Sequence, residues 1–201
     1  MAEVYTLKIT YQGCENKIWR EAQISSNAFL ADVGYMILVT FDTLAYHLFS
    51  ISYKDIVFEL PNEDEDVPLE ECLFCVKLGE LNAKVGDKLT MLYDFGCDQE
   101  FEIEIMNIET MPKGTGRSYP KIIAGVGKGI LDDVPAFETL EIINDTDKNG
   151  SSAYTYLTKY ENEVIWDYRD YDLKADNILL KGEIARIAEG YSAFEAYLDF
   201  E

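Results

Sequence analysis

Apolar and polar residues alternate along Val4-Tyr5-Thr6-Leu7-Lys8-Ile9-Thr10-Tyr11, the mark of a strand with one buried face. Gln12-Gly13 through Asn16 reads as a turn, and Ile18 to Ile24 as the returning partner strand. Ser25-Ser26-Asn27 offers caps for a helix carrying Phe29, Leu30, Val33, Ile37 and Leu38 on one face. His47 to Ile51 begins a further strand, followed by Lys54 to Leu60. Asn62 to Asp66 is a charge run expected to be a solvated acidic loop, and Lys77 to Val85 a short connection before Gly86-Asp87.

The clearest alternation surrounds Tyr93-Asp94-Phe95-Gly96-Cys97-Asp98. Leu89, Met91 and Tyr93 precede it, and Phe101, Ile103, Ile105 and Ile108 follow, so a hairpin is predicted with Gly96 in the turn and Phe95 packed. From Asp133 the period changes. Phe137, Leu140 and Ile143, then Tyr154, Leu157 and Tyr160, recur at helical spacing, broken by Asp147 to Ser152. Ala175 to Glu189 reads as another helix, with Ile178, Leu179, Ile184 and Ile187 apolar and Gly190 as its stop. The order strand–strand–helix–strand predicts an α+β fold whose helix packs across an antiparallel or mixed sheet, with a β-grasp-like arrangement as a fitting form. Residues 1–201 are read as a single domain, sheet-rich over 1–131 and helical over 132–201.

Composition adds a core and a charge. At 48% hydrophobic, with 14 Tyr and 10 Phe, the chain can bury a substantial interior, so disorder of the bulk is excluded. The formal charge of -21 repels phosphate backbones and anionic leaflets, so neither nucleic acid nor membrane is an expected partner. Apolar runs are broken by charges, and Met-Ala-Glu-Val-Tyr lacks the basic and apolar regions of a secretory signal; a cytoplasmic protein is expected. Cys14, Cys72, Cys75 and Cys97 lack a framework-like spacing. Cys72-x-x-Cys75 has the spacing of half a zinc site or a redox pair, but no second close pair accompanies it, and the four read as packed thiols.

Ile18-Trp19-Arg20, the Leu30 helix, His47-Leu48 with Ile51, Tyr93-Asp94-Phe95-Gly96, Tyr119-Pro120 with Gly125-x-Gly127, and Tyr171-Asp172-Leu173 with Asn177 and Leu180 follow one another in order. In that order and spacing the chain resembles the plasmid pRiA4b ORF-3-like family over most of its length. The family continues Asp-Phe-Gly with an acidic residue, a Trp and a His, where this chain has Cys97, Gln99 and Phe101. Its Pro-Pro-Glu-Asp stands here as Ile130-Leu131-Asp132-Asp133, and its aromatic Trp shortly before His47 is missing. The resemblance implies a protein of unknown function; the names of some relatives suggest a mobile-element accessory role touching nucleic acid, which the charge opposes. Trp19, Arg20, His47, Tyr93, Asp94, Gly96 and Asp98 are the signature residues it marks.

Three readings of the chemistry follow. Asp94-Phe95-Gly96 matches the kinase metal-binding triplet, but the Gly-rich loop, lysine strand and catalytic loop that would accompany it are absent. His47 is the sole histidine: it closes a strand against Trp19, unless Asp94 or Asp98 approaches it in space to build a site. Thr110 to Leu131 contains no acid and carries Lys113, Arg117, Lys121 and Lys128 among glycines that include Gly125 and Gly127. Glycines let backbone N–H groups approach an anion, so this stretch is either an anion-binding loop or a flexible one whose cations offset the acidic body. The leading expectation is a non-enzymatic binding module for a small anionic ligand or a protein partner, with no cofactor and no metal. The alternative is an enzyme using Asp94, Asp98, Asp132 and Asp133 for acid/base or divalent-metal chemistry, recognisable if those carboxylates converge in one pocket.

Overall fold

The computed structural model describes residues 2–62, 67–157 and 162–198. Among them, β1 (Glu3–Tyr11), β2 (Trp19–Ser25), β3 (Phe49–Tyr53), β4 (Ile56–Phe58), β5 (Lys88–Tyr93), β6 (Gln99–Thr110) and β7 (Lys121–Val126) form one sheet in the order β4-β3-β5-β6-β1-β2-β7. Every neighbouring pair is antiparallel, which decides between the two sheet types the pattern allowed. The alternation survives as alternating burial: Leu89, Met91 and Tyr93 of β5 and Phe101, Ile103 and Ile105 of β6 are all buried. The fold is α+β.

Helix α1 (Leu30–Thr40) lies over this sheet and is buried nearly all round, from Leu30 to Thr40, rather than along one stripe. One side meets the sheet, where Phe41 and Phe101 rings stand 4.8 Å apart. The other meets α3 (Leu173–Tyr191), where Tyr35 and Tyr191 stand 5.4 Å apart. Sheet, α1 and α3 thus make successive layers. Phe29, not the Ser25–Asn27 run, occupies the cap position of α1, and Asp32 Oδ2 accepts its N–H at 2.9 Å. The serines are engaged elsewhere: Ser25 Oγ accepts from Asn27 N–H and Ser26 Oγ from Glu3 N–H.

Helix α2 (Ala136–Asn149) buries Thr139, Ile143 and Thr146 and ends at Gly150. The second segment expected to be helical is instead a hairpin of β8 (Thr155–Leu157) and β9 (Glu163–Ile165); Tyr160 lies outside the described residues. Aromatic and β-branched residues in three-residue runs suit a strand, and their spacing by three is a coincidence of a short segment. Of the acidic loop only Asn62 is described. Two details of α3 also differ from expectation. Ile178 and Leu179 are 73% and 57% exposed, while Leu180, Ile187 and Tyr191 form the buried face. Gly190 does not stop the helix, because Tyr191 packs against Tyr35 and Phe49 and donates its hydroxyl to the His47 carbonyl, holding the chain in helix one residue further.

Asp172 starts α3: its Oδ1 accepts from Lys174 N–H at 2.9 Å and Ala175 N–H at 3.1 Å. Asp172→Ala is expected to destabilise the fold by about 1 kcal/mol, read as a shift of the urea midpoint at unchanged slope. All four thiols are free, Cys14 and Cys72 buried, Cys75 and Cys97 half-buried. No helix among the described residues is long and apolar enough to cross a membrane.

Candidate functional site

Pairing of β3 with β5 sets Phe49 beside Tyr93. The residues just before β3 and just after β5 therefore meet, and Asp94 N–H donates to Leu48 O at 3.1 Å. A third segment, Gly129 to Pro135, joins them. Gln99 at the start of β6 holds it: Gln99 Nε2 donates to Leu131 O and Val134 O, while its Oε1 accepts from the Tyr11 hydroxyl. Gln99 is fully buried. It positions Asp132 and Asp133, which lie between its two acceptors.

The result brings His47, Asp94 and Asp133 together. His47 Nε2 lies 2.9 Å from Asp133 Oδ1 and 3.4 Å from Asp94 Oδ2, and one ligand atom from each of the three residues falls within 4.8 Å of the others. Tyr46 donates its hydroxyl to Asp133 Oδ2, and the Tyr46 and Tyr93 rings flank the imidazole at 4.3 and 5.7 Å. Asp132 faces the other way, accepting from Tyr93 OH at 2.6 Å and Leu44 N–H at 2.8 Å. Burial pushes the Asp132 carboxyl above the ordinary carboxylate value, and those two donors pull it back only in part. Burial, then the Asp132 charge, pushes the Tyr93 phenol up. Burial, with Asp94 beside it, raises the Cys97 thiol to about 11, so it stays protonated at neutral pH.

Backbone conformation concentrates here too. Asp42, Ala45, Asp94, Asp98 and Asp133 all have φ between 52 and 58°; Lys54 and Asn82 are the other non-glycine residues with positive φ among those described. Aspartate tolerates this region because its carboxylate can bond locally, and Asp94 does so: its Oδ1 accepts from Gly96 N–H at 3.2 Å. The turn is thus made by Asp94 and Asp98 at positive φ rather than by Gly96, and Phe95 is 49% exposed rather than packed. The exposed Asp98 is outside the His47 cluster. A cavity of about 520 Å³ opens beside it, walled by Tyr46, Asp132, Asp133, Tyr154, Tyr156 and Leu157, so the β8–β9 hairpin closes its far side.

The other sequence candidates lie elsewhere. His47 packs between Tyr46 and Tyr93, not against Trp19, which sits in β2 under Lys8 Nζ at 5.7 Å. Arg20 is buried completely, its guanidinium bonded to backbone carbonyls. Lys113 and Arg117 are exposed, Lys121 Nζ lies over the Tyr119 ring, and Lys128 Nζ lies 5.4 Å over the Tyr156 ring at the cavity wall. Gly125 packs under Arg20 and Tyr171, and Gly127 against the Lys17–Ile18 backbone. Tyr46 was not picked out in the sequence, and Gln99 was noted only as a departure from the family pattern, although a glutamine in the inward register of β6 was a legible signal.

The profile of the family described as "Plasmid pRiA4b ORF-3-like protein" matches residues 3–175. The chain belongs to that family. Among solved structures, the plasmid pRiA4b ORF-3-like fold seen here is similar to the "Crystal Structure of Protein of Unknown Function MM3350 from Methanosarcina mazei Go1", with a TM-score of 0.64 and 21% identity, covering 88% of this chain and 97% of that one. At that identity the likeness concerns the fold. No curated protein matches the chain. In this plasmid pRiA4b ORF-3-like protein His47, Asp94 and Asp133 stand in one cluster.

Proposed function

We propose that the protein is a small-molecule-binding module whose ligand lies in the cavity between Tyr46, Tyr154 and Tyr156 and directs a polar, oxygen-bearing head toward Asp133 and His47. The observation that carries this reading is the cavity itself. A concave space of about 520 Å³ with aromatic and aliphatic walls and a few convergent polar groups at one end is how ligand sites are generally built. Lys128 over Tyr156 is a cation placed to meet an anionic substituent.

The test is a thermal-shift screen of the full chain against aromatic and aliphatic carboxylates, phosphates and amines. A ligand at about 100 times its Kd stabilises by ~2.7 kcal/mol, which raises the midpoint of a domain this size by roughly 5–10 °C. Such a shift is expected for the wild type and not for Tyr156→Ala. Hits that shift both proteins alike would place the ligand elsewhere and sink the reading.

A second reading, an enzyme with acid/base chemistry, is favoured by one observation: Asp94 and Asp133 both approach the only histidine next to the same cavity. Asp98, one of the four carboxylates considered for it, stays outside the cluster.

A further inference from the structure

Two carboxylates point at one nitrogen. His47 Nε2 carries at most one hydrogen, and Asp133 Oδ1 at 2.9 Å is the nearer acceptor. Asp94 Oδ2, at 3.4 Å, is left with no N–H or O–H donor and only the weakly donating Cys97 thiol nearby, although Asp94 is only 5% exposed. The side chain is fixed where it is. Its Oδ1 accepts from Gly96 N–H, its own N–H donates to Leu48 O, and its carbonyl accepts from Cys97 and Asp98 N–H at 2.9 and 3.0 Å. A buried carboxylate oxygen without a donor is costly, and each such group calls for an explanation.

We infer that His47 Nε2, Asp94 Oδ2 and Asp133 Oδ1 are ligands to a divalent cation of the first transition row, Zn²⁺ or Mn²⁺. A cation satisfies all three atoms at once, which one hydrogen does not. Ligand atoms at about 2.0–2.2 Å from a tetrahedral ion stand roughly 3.3–3.6 Å apart. The observed 3.4 Å falls within that spacing and the 2.9 Å a few tenths of an ångström below it, a gap that small rotations close. One imidazole with two carboxylates selects borderline cations over Mg²⁺ and Ca²⁺, which favour oxygen alone. Cys97 is not among the residues whose ligand atoms converge there.

Three protein ligands leave a coordination position open. Asp133 is exposed and also lines the cavity, so the open position faces it. This gives a ligand's oxygen something positive to meet in a chain of formal charge -21, a step that rests on the cavity being the ligand site.

The test is titration of the full chain with Co²⁺, followed by its visible absorption, and with Zn²⁺ by calorimetry, both in excess Mg²⁺ to saturate the acidic surface. One ion per chain with micromolar or tighter affinity is expected, with nitrogen/oxygen-type bands and no thiolate-to-cobalt charge transfer. Affinity should fall at least about tenfold in Asp94→Asn and in His47→Gln and be unchanged in Cys72→Ser. Asparagine keeps the size and the left-handed turn at 94. His47→Gln alters a half-buried side chain, so one variant remains readable if the other fails to fold. Absence of saturable binding, equal binding by both variants, or a thiolate band lost in Cys72→Ser would each overturn the inference. If the metal site falls in that way, a cavity ligand that still binds the metal-free chain leaves the proposed function standing.

Discussion

Exchanging Arg20 for methionine is expected to lower the unfolding free energy by about 3–5 kcal/mol, measured by urea denaturation. The side chain is 0% exposed. Its Nε donates to Thr40 O at 3.0 Å, Nη1 to Trp19 O and Val126 O at 2.9 and 2.8 Å, and Nη2 to Lys128 O at 2.9 Å. These carbonyls belong to the end of α1, to β2, to β7 and to the strand's exit. One guanidinium therefore ties the helix to the sheet edge. It also stacks 3.8 Å over the Tyr171 ring, and Asp176 of α3 stands 3.9 Å from Nε. Methionine matches the length and none of the donors, so four carbonyl acceptors, that of Thr40 buried and the others part-buried, lose their partner. The penalty should shrink in acid. Burial raises the Asp176 carboxyl above its ordinary value and Arg20 pulls it back down. Such a group adds stability while protonated and loses it as pH rises through its raised value. Removing Arg20 raises that value further, so the variant is penalised most above this window, where Asp176 is ionised, and least below it. A loss under about 1 kcal/mol at neutral pH would mean that the guanidinium does not organise this junction.

The sheet was legible because period-two alternation is a local signal, and six of the seven strands lie where it appears. The hairpin of Thr155–Leu157 and Glu163–Ile165 was not, because three residues are too few to separate a period of two from one of 3.6. Helix α1 was found but its burial was underestimated, since nothing local shows that α3 covers its outer side. The site divides in the same way. His47, Asp94, Asp132 and Asp133 were each singled out as residue types with chemistry, yet their meeting depends on β3 pairing with β5 and on Gln99 holding the Leu131–Val134 segment. Those are closures between residues far apart in the chain, and side-chain identity alone does not encode them. Arg20 shows the converse. In the sequence it was only a signature residue of the family resemblance; in the structure it is the most deeply buried charge among the described residues, because its four acceptors come from separate segments.

Gly127→Ala should be a severely damaging single-methyl change in the glycine-rich stretch, costing about 3–5 kcal/mol or preventing folding. Gly127 has φ of +81°, which an alanine adopts at a cost of about 1–2 kcal/mol. The larger part is steric. A Cβ there would lie 2.2 Å from Lys17 O and 2.9 Å from Ile18 Cα, both backbone atoms at the entry to β2 that have no rotamer to yield. Gly150→Ala is the matched control: its φ is +76°, with nothing within 4 Å of a built Cβ, so strain acts alone and a loss of about 1 kcal/mol is expected. The difference between the two variants measures close packing separately from conformational freedom. It bears directly on what the glycines are for. Gly125 under Arg20 and Gly127 against Lys17 let the β7 edge close on β2, and that closure carries the chain on to Gly129 and the Asp132–Asp133 pair. If both variants lose the same small amount, the glycines belong to a loosely held loop whose freedom serves a bound anion. If Gly127→Ala alone collapses the fold, they are there so that two backbones can touch, and the cations between them act from a rigid edge.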